Sequence, residues 1–345
     1  MIAIGLDVHA KNTMIAYLDT DTGELAHRNV PTHRLAAELA DKDPEITRIC
    51  LEVSAPGLFV ARNLISSGFY VIVVDAYKAH RIIESQNTAK TDKRDATALA
   101  KLVANGQAED ISIWVPDDRT RELRQLTRSR EALVKVSTQL RNQLRAIIRS
   151  EGQECRFKDL TGRGGRRWME QFIAAMPPDA ALACRAVWEA LLDIKDRVDA
   201  LGRAIEDAVD TYAPAQLLMT IPGCGAILAL TIAVEIGDVR RFFNAKKLCG
   251  YSGLVPRVRQ SGESSWTGPL VKQGNAHLRR AMVLLAQQVA GSSALKGTRL
   301  KRGHYRVLRK SGPNPAKAEV ARHLLHVIFA MLRDGTSFDA ELMAA

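Results

Sequence analysis

The chain has 345 residues, of which 46% are hydrophobic and 25% charged, and its formal net charge is +11. This is the composition of a soluble globular protein, and the length suits two domains or more. No apolar run approaches the roughly 18 residues of a transmembrane helix, and the first residues lack the regions of a signal peptide, so we expect a cytoplasmic protein with no membrane partner. The five cysteines show no Cys-x-x-Cys spacing, which argues against a zinc site or a disulfide framework.

The positive charge is concentrated in one part of the chain. Residues 1–115 hold 12 Lys and Arg against 15 Asp and Glu, whereas residues 238–310 hold 16 against 2. A solvated basic face would also have this composition. So uneven a segment is more typical of a region that meets a polyanion, and we interpret it as a nucleic-acid-binding region.

The first 115 residues alternate between short apolar runs and helix-like segments. Strands are predicted at 2–7, 14–18, 23–31, 46–53 and 69–74, and helices at 35–39, 57–66 and 90–105. The first two strands form a hairpin. Alternation of this kind predicts an α/β sheet domain.

Four acidic residues fall at notable places in this domain. Asp7 ends the first strand, Glu52 interrupts a later one, and Asp92 and Asp95 open a helix from the same side. Each has an ordinary explanation, a capping Asp in a strand-to-turn junction for Asp7 and complementation of the helix dipole for the helical pair. Together, however, strand and helix carboxylates can hold two hard divalent cations, which clamp the attacking and leaving oxygens of a phosphodiester. We therefore predict a metal site for Mg²⁺, with two ions.

The middle of the chain has helical periodicity. Leu126, Leu133, Leu140 and Ile147 recur every seven residues, and a second apolar series runs from Val187 to Ile205. Two such helices predict an antiparallel hairpin or a dimerising coiled coil. Between them, residues 151–179 have the composition of a loop-rich insertion. The nine Lys and Arg from Arg119 to Arg149 fit a phosphate backbone or a solvated face equally well.

The third region begins near Ala213. The glycine-rich segment 221–226 precedes an apolar helix, which fits a phosphate-binding hairpin or a plain helix–turn–helix element. Ser261 and Gly262 follow in a predicted loop, with basic residues before and after them: Arg257, Arg259, Lys272 and Arg279. Ser-Gly pairs are common turn residues. A serine bracketed by arginines also suits a nucleophile that approaches a phosphate.

At these motifs the chain resembles the DEDD transposases of insertion sequences that move with a structured bridge RNA, also called bridge recombinases. The resemblance covers nearly the whole chain. It is carried by the following residues: Gly5-Leu6-Asp7-Val8-His9, Glu52, Thr91-Asp92-Lys93-Arg94-Asp95-Ala96, Ile221-Pro222-Gly223, Gly253-Leu254-Val255-Pro256, Ser261-Gly262, Lys272-Gln273-Gly274-Asn275 and Leu278-Arg279.

The resemblance implies three domains: a RuvC-like (RNase H-like) α/β catalytic domain at 1–115, long coiled-coil helices with an insertion at 116–212, and a mainly α transposase domain at 213–345. It implies that the acids Asp7, Glu52, Asp92 and Asp95 bind metal and that Ser261 forms a phosphoserine with a cut strand. Ser252, Ser264 and Ser265 lie close enough to be alternative nucleophiles.

The partners implied by the resemblance are donor DNA, target DNA and the bridge RNA, which would pair with both DNAs while the protein reads shape and backbone. The family implies a homodimer that pairs into a tetramer. The main alternative is a RuvC-like Holliday-junction resolvase that uses only metal-activated water. An actin-like sugar kinase would need small residues where His9 and Lys11 stand, and a non-catalytic binding protein leaves the four acids unexplained.

Overall fold

The computed structural model of the chain describes residues 1–84, 91–261, 264–271, 273–293 and 296–340. Lys272 lies outside the described residues. The chain divides into two compact units, Met1–Pro116 and Asp117–Ala345. The further division of the second unit into two domains stays a prediction. No helix in the described part of the chain is long and apolar enough to cross a membrane.

The first unit is built on one mixed sheet. Its strands are β1 (Ile2–Val8), β2 (Asn12–Asp19), β3 (Leu25–Pro31), β4 (Thr47–Glu52), β5 (Tyr70–Val74) and β6 (Ser112–Ile113), in the order β3-β2-β1-β4-β5-β6. The pairs β1–β4 and β4–β5 are parallel, and the other neighbours are antiparallel. Its helices are α1 (Leu35–Glu38), α2 (Ala55–Ser66), α3 (Ala76–Glu84) and α4 (Asp92–Ala104).

Helices cover both faces of this sheet, as the apolar character of its central strands requires. On one face, α2 packs against alternate residues of β1 and β4, such as Ile4 and Leu51. On the other, Leu99 and its neighbours in α4 pack on Ala3 and Cys50. The predicted α/β sheet is confirmed. The sequence reading missed α3 and β6, because α3 follows β5 after one residue and β6 has only two residues.

The second unit is mostly helical, as predicted. Its helices are α5 (Asp118–Ser150), α6 (Arg163–Ala174), α7 (Pro178–Val209), α8 (Ala213–Met219), α9 (Ala226–Ile236), α10 (Ala245–Ser252), α11 (Ala276–Gly291), α12 (Arg299–Ser311) and α13 (Pro313–Asp334). The apolar helix α9 is buried almost throughout, and α11 and α13 share its core. This is the expected place for a helix without a polar face.

The helices α5 and α7 pack side by side as an antiparallel pair. Leu123 near the start of α5 shares a core with Val209 at the end of α7, and Leu144 shares another with Trp188. The most buried column of α5 runs through Leu123 and Leu144, whereas the predicted column from Leu126 to Ile147 is only half-buried. A regular coiled coil stays a prediction.

Two segments of the second unit differ from the predicted loops. Residues 163–174 of the predicted loop-rich insertion form α6, whose Met169 and Ile173 lie four residues apart and are buried against α7. The predicted serine loop is instead an antiparallel hairpin of β7 (Pro256–Ser261) and β8 (Ser264–Leu270). Its pairing supplies partners for backbone groups that a loop would leave to water.

Candidate active site

The alternation of side chains along two neighbouring strands brings Asp7 and Glu52 to one face of the sheet. Leu6 pairs with Leu51, and both side chains belong to the core under α2. Asp7 and Glu52 are the next residues on their strands, so both alternate to the opposite face, which α4 covers. They therefore lie side by side at the carboxyl ends of two parallel strands. Both are half-buried.

The start of α4 lies over this edge because of Gly5. A Cβ atom at Gly5 would lie 1.9 Å from the carbonyl oxygen of Ala96, so only glycine allows the helix to approach the strand this closely. Thr91 caps the helix by accepting a hydrogen bond from the backbone N–H of Arg94. Asp92 and Asp95 follow in the first turn, where the helix dipole favours negative charge.

Three side chains meet closely at this point. Ligand atoms of Asp7, His9 and Asp92 all lie within 4.8 Å of one another, and His9 Nε2 is 3.3 Å from Asp7 Oδ2. Among the described residues, Glu52 and Asp95 lie outside this 4.8 Å set. The structure thus brings two of the four predicted acids into direct proximity, with the other two beside them on β4 and α4.

The electrostatics of the cluster follow from its burial and its like charges. Burial raises the pKa of the Asp7 carboxyl above its usual value, and the charges of Asp92 and Asp95 raise it further, whereas His9 acts in the opposite direction. A divalent cation would relieve this repulsion, and carboxylate oxygens with one imidazole are suitable ligands for it. The donor set therefore fits a divalent metal ion.

The predicted nucleophile lies in the second unit. Ser261 is the last residue of β7 and pairs with Ser264, the first residue of β8. Arg259 precedes Ser261 on the same strand, and Arg257 is exposed. Ser252 is fully buried, and its hydroxyl donates to the carbonyl of Cys249 at 2.8 Å, which leaves it poorly placed to attack a substrate.

The base of the hairpin is held by backbone contacts. Gly253 ends α10 with a φ of +70°, and a Cβ there would lie 2.4 Å from Nη1 of Arg279. That guanidinium donates to the carbonyl of Val271 at 2.8 Å. The backbone N–H of Asn275 donates to the carbonyl of Tyr251 at 2.7 Å. Arg279, predicted to bind nucleic acid, is thus half-buried and engaged with the protein's own backbone.

Behind the hairpin lies a buried carboxylate that the sequence reading missed. Glu235 has no solvent exposure, and Arg128 donates to its two carboxylate oxygens at 2.7 and 2.8 Å. Asn275 donates its side-chain N–H to Glu235 at 2.7 Å and caps α11. Arg124 donates to the carbonyls of Val234 and Glu235. Burial alone would raise the pKa of Glu235, but hydrogen bonds from Arg128 and Asn275 hold it below its ordinary value.

This network joins α5, α9 and α11 below the serine hairpin. The bidentate contact uses the planar fork of Arg128, and such a charge pair is stable in the interior only when its remaining hydrogen bonds are satisfied. An acid one residue before the end of a mostly apolar helix was the available sequence signal, because an acid in a buried helix needs a partner.

Comparison with protein families places both regions in one group. A model described as "Transposase", for the DEDD type of the IS110 elements, matches residues 4–151, and one described as "Transposase IS116/IS110/IS902 family" matches residues 215–308. The chain belongs to the IS110/IS116/IS902 transposase family. The first match contains all four acids of the candidate site, and the second contains Ser261 and its basic neighbours.

Individual relatives agree with this assignment. The chain is 22% identical to the transposase for insertion sequence element IS1328 of Yersinia enterocolitica, over 97% of this chain and 98% of that protein. A putative transposase of Sinorhizobium fredii is 26% identical, over 81% of this chain and 70% of its own. The pilin gene-inverting protein of Moraxella bovis is 26% identical, over 85% and 82%.

His9 is the member of the acid cluster to which the sequence reading gave no role. It lies two residues after Asp7, just beyond the end of β1, and its side chain is 60% exposed. The two-residue spacing from Asp7 was the available signal, because alternation along an extended chain places both side chains on one side.

We expect Asp7→Asn to raise the melting temperature in metal-free buffer at pH 7. The folded protein holds the Asp7 proton more tightly than the unfolded chain does, so the charged carboxylate destabilises the fold. The difference between variant and wild type should shrink as the pH falls below about 4, where the unfolded carboxyl is also protonated. Calorimetry with the exposed Glu45→Gln variant as control measures this, and a variant that melts lower than wild type at pH 7 would contradict it.

We expect Glu235→Ala to lower the free energy of unfolding by about 1–3 kcal/mol, because it removes the buried acceptor of hydrogen bonds from Arg128 and Asn275. The control is Asp193→Ala, which breaks an exposed ion pair whose Oδ2 lies 2.9 Å from Nε of Arg197. It should lower the free energy of unfolding by about 0–1 kcal/mol. Urea denaturation compares the two. Equal losses would show that the buried carboxylate has no special role.

Proposed function

We propose that the protein is the recombinase of an insertion sequence and that it cuts and rejoins DNA strands under the guidance of a structured bridge RNA. One observation carries the catalytic part: Asp7, His9 and Asp92 meet at the start of α4, beside Glu52 on the adjacent strand. The family of the chain makes DNA the substrate of such a site. In this proposal the first unit has the RuvC-like fold, and α5 and α7 form the coiled coil of the family.

The acids Asp7, Glu52, Asp92 and Asp95 would hold Mg²⁺, with two ions per site. When bound, such ions neutralise the carboxylates and stabilise the charge that develops on phosphate oxygens. The acids fix the position of the phosphodiester and orient the attacking hydroxyl. His9, in contact with Asp7, holds that carboxylate in place or adds an imidazole ligand.

Ser261 would be the nucleophile. Its hydroxyl loses a proton and its oxygen attacks the phosphorus. The new Ser–O–P bond forms as the bond to one deoxyribose oxygen breaks, and that oxygen takes up a proton, so the step consumes none overall. The phosphoserine keeps the energy of the phosphodiester, so a DNA hydroxyl can later displace the serine and rejoin strands without ATP. Because Ser252 is buried, Ser264 and Ser265 are the nearer alternatives.

Rejoining distinguishes this proposal from a resolvase that uses water. A relative is named for inverting a pilin gene, and a DNA segment can be inverted only if its cut ends are joined again. A covalent serine intermediate supplies that step, whereas hydrolysis does not. The recombinase therefore fits this relative better than a hydrolytic nuclease does.

The nucleic-acid partners follow from the resemblance of the chain to the bridge-RNA transposases. The bridge RNA would pair with donor and target DNA, while the protein binds backbone and shape. Arg257, Arg259 and Lys272 surround the serine and would neutralise phosphates there. Arg279 would act indirectly, by holding the base of the hairpin through Val271. The active assembly would be a dimer that pairs into a tetramer.

We expect Asp7→Asn, Glu52→Gln, Asp92→Asn and Asp95→Asn each to slow DNA cleavage in Mg²⁺ buffer by more than about 100-fold. His9→Gln should cost about 10–100-fold, the range for a partner that orients a metal ligand. Single-turnover cleavage of labelled DNA measures both, and circular dichroism verifies the fold. Glu45→Gln is the control and should keep the wild-type rate. Wild-type rates in any two of the four acid variants would refute the metal site.

We expect wild-type protein to form a covalent DNA adduct that survives denaturant and that Ser261→Ala removes. Denaturing electrophoresis detects the adduct, and mass spectrometry of the digested complex identifies the residue. If the adduct persists in Ser261→Ala but disappears with Ser264→Ala or Ser265→Ala, the mechanism stands with a different serine. If active protein cuts DNA with no adduct in any variant, the metal-only resolvase is correct.

A further inference from the structure

The helix α12 has the highest density of basic residues among the helices of the second unit. Among its 13 residues it has no acid and six Lys or Arg: Arg299, Lys301, Arg302, Arg306, Arg309 and Lys310. Such a density of like charge destabilises an isolated helix, because neighbours at i+3 and i+4 repel one another. A polyanion bound along the helix would remove this repulsion.

Part of this charge lines a cleft. A cavity of about 530 Å³ lies between α12 and α13 and is bordered by Arg299, Arg302, Gly303, Arg306 and His323. The three arginines are exposed and stand at positions i, i+3 and i+7, on one face of the helix. At 1.5 Å per residue they span about 10 Å of its length. The cleft therefore presents a row of guanidinium groups rather than a single one.

The cleft has no acidic lining among the described residues. The nearest acid in sequence to its histidine, Glu319, forms an ion pair with Arg322 and lies 3.6 Å from Nδ1 of His323. The same Nδ1 lies 3.1 Å from the carbonyl oxygen of Glu319, which fixes the ring. The positive charge of Arg299 and Arg306 is thus not neutralised by a carboxylate in the described part of the cleft.

Gly303 is a second, independent sign of a ligand. A glycine inside a helix costs about 0.5–1 kcal/mol relative to alanine. Such a residue is usually explained by close packing, but a Cβ at Gly303 would meet no atom within 4 Å. The protein's own packing therefore does not require glycine here. The close approach of another molecule to the helix backbone, between the arginines, would require a glycine.

We propose that the cleft between α12 and α13 binds the sugar–phosphate backbone of duplex DNA, with the phosphates on Arg299, Arg302 and Arg306 and the backbone against Gly303. A row of about 10 Å matches a linear polyanion, because each DNA strand carries one charge per about 3.4 Å of helix axis. A single small anion would use only one end of the row. The proposal rests on the proposed function, which makes DNA the substrate.

The test compares two triple variants of the full chain that lose the same charge. The cleft variant loses the row of arginines through Arg299→Gln, Arg302→Gln and Arg306→Gln. The control variant loses exposed arginines of α6 and α7 through Arg163→Gln, Arg167→Gln and Arg185→Gln. Fluorescence anisotropy with a duplex of about 30 base pairs gives affinity over a range of salt. For the cleft variant, the slope of the logarithm of the binding constant against the logarithm of the salt concentration should fall in magnitude by about 0.9 per lost phosphate contact, up to about 2.7. For the control variant this slope should stay near the wild-type value.

Gly303 gives a readout that a structural role would not produce. Gly303→Ala should raise the melting temperature, since it improves helix propensity, while it weakens DNA binding; Gly303→Leu should weaken binding more. Three results would overturn the proposal. The first is unchanged DNA affinity in both Gly303 variants, and the second is an equal salt slope in the two triple variants. The third is a cleft variant that loses affinity for an RNA hairpin but not for duplex DNA. Wild-type cleavage is assayed in parallel. If wild-type protein cuts DNA but the cleft variant keeps the wild-type salt slope, the cleft proposal is wrong and the proposed function stands. If wild-type protein binds DNA through the cleft but never cuts it, the proposed function is wrong and the cleft proposal stands.

Discussion

The close approach of α4 to the first strand at Gly5 is the constraint on which the candidate site of the first unit depends. Without a Cβ at that position, the backbone of Ala96 lies directly on the sheet, and the first turn of the helix reaches the edge where the strands end. Any larger residue would push the helix outward and separate Asp92 from Asp7. The close approach also brings like charges together in a half-buried place, which raises the pKa of Asp7. A bound cation would neutralise these charges.

The second unit solves a different problem, that of holding a small hairpin in one orientation. A two-stranded hairpin is marginally stable on its own, so its base must be fixed from outside. Asn275 performs this by binding Tyr251, Glu235 and the first turn of α11 together. Because Glu235 is held in turn by Arg128 of α5, the base of the serine hairpin is connected to the long helix pair. A nucleophile benefits from such rigidity, since attack requires exact placement.

Much of this was predictable from the sequence, and the failures have physical reasons. The order of strands and helices in the first unit followed from apolar periodicity, and the adjacency of Asp7 and Asp92 followed from acids at the ends of those elements. The sequence could signal that Glu235 needs a partner but not which residue that is, because Arg128 lies over 100 residues away and only the fold brings them together. The serine hairpin was taken for a loop, since the Ser-Gly pair at 261–262 is typical of turns and the two strands that flank it are short.

We propose above all that the acids at the edge of the sheet hold a divalent cation for phosphodiester chemistry. The most direct test is a crystal structure of the protein with Mn²⁺, in which anomalous scattering locates the ions independently of any model of the chain. We expect a peak about 2 Å from carboxylate oxygens of Asp7 and Asp92, absent in the Asp7→Asn variant. A crystal grown in Mn²⁺ that supports cleavage in solution, with no peak at these residues, would contradict the account.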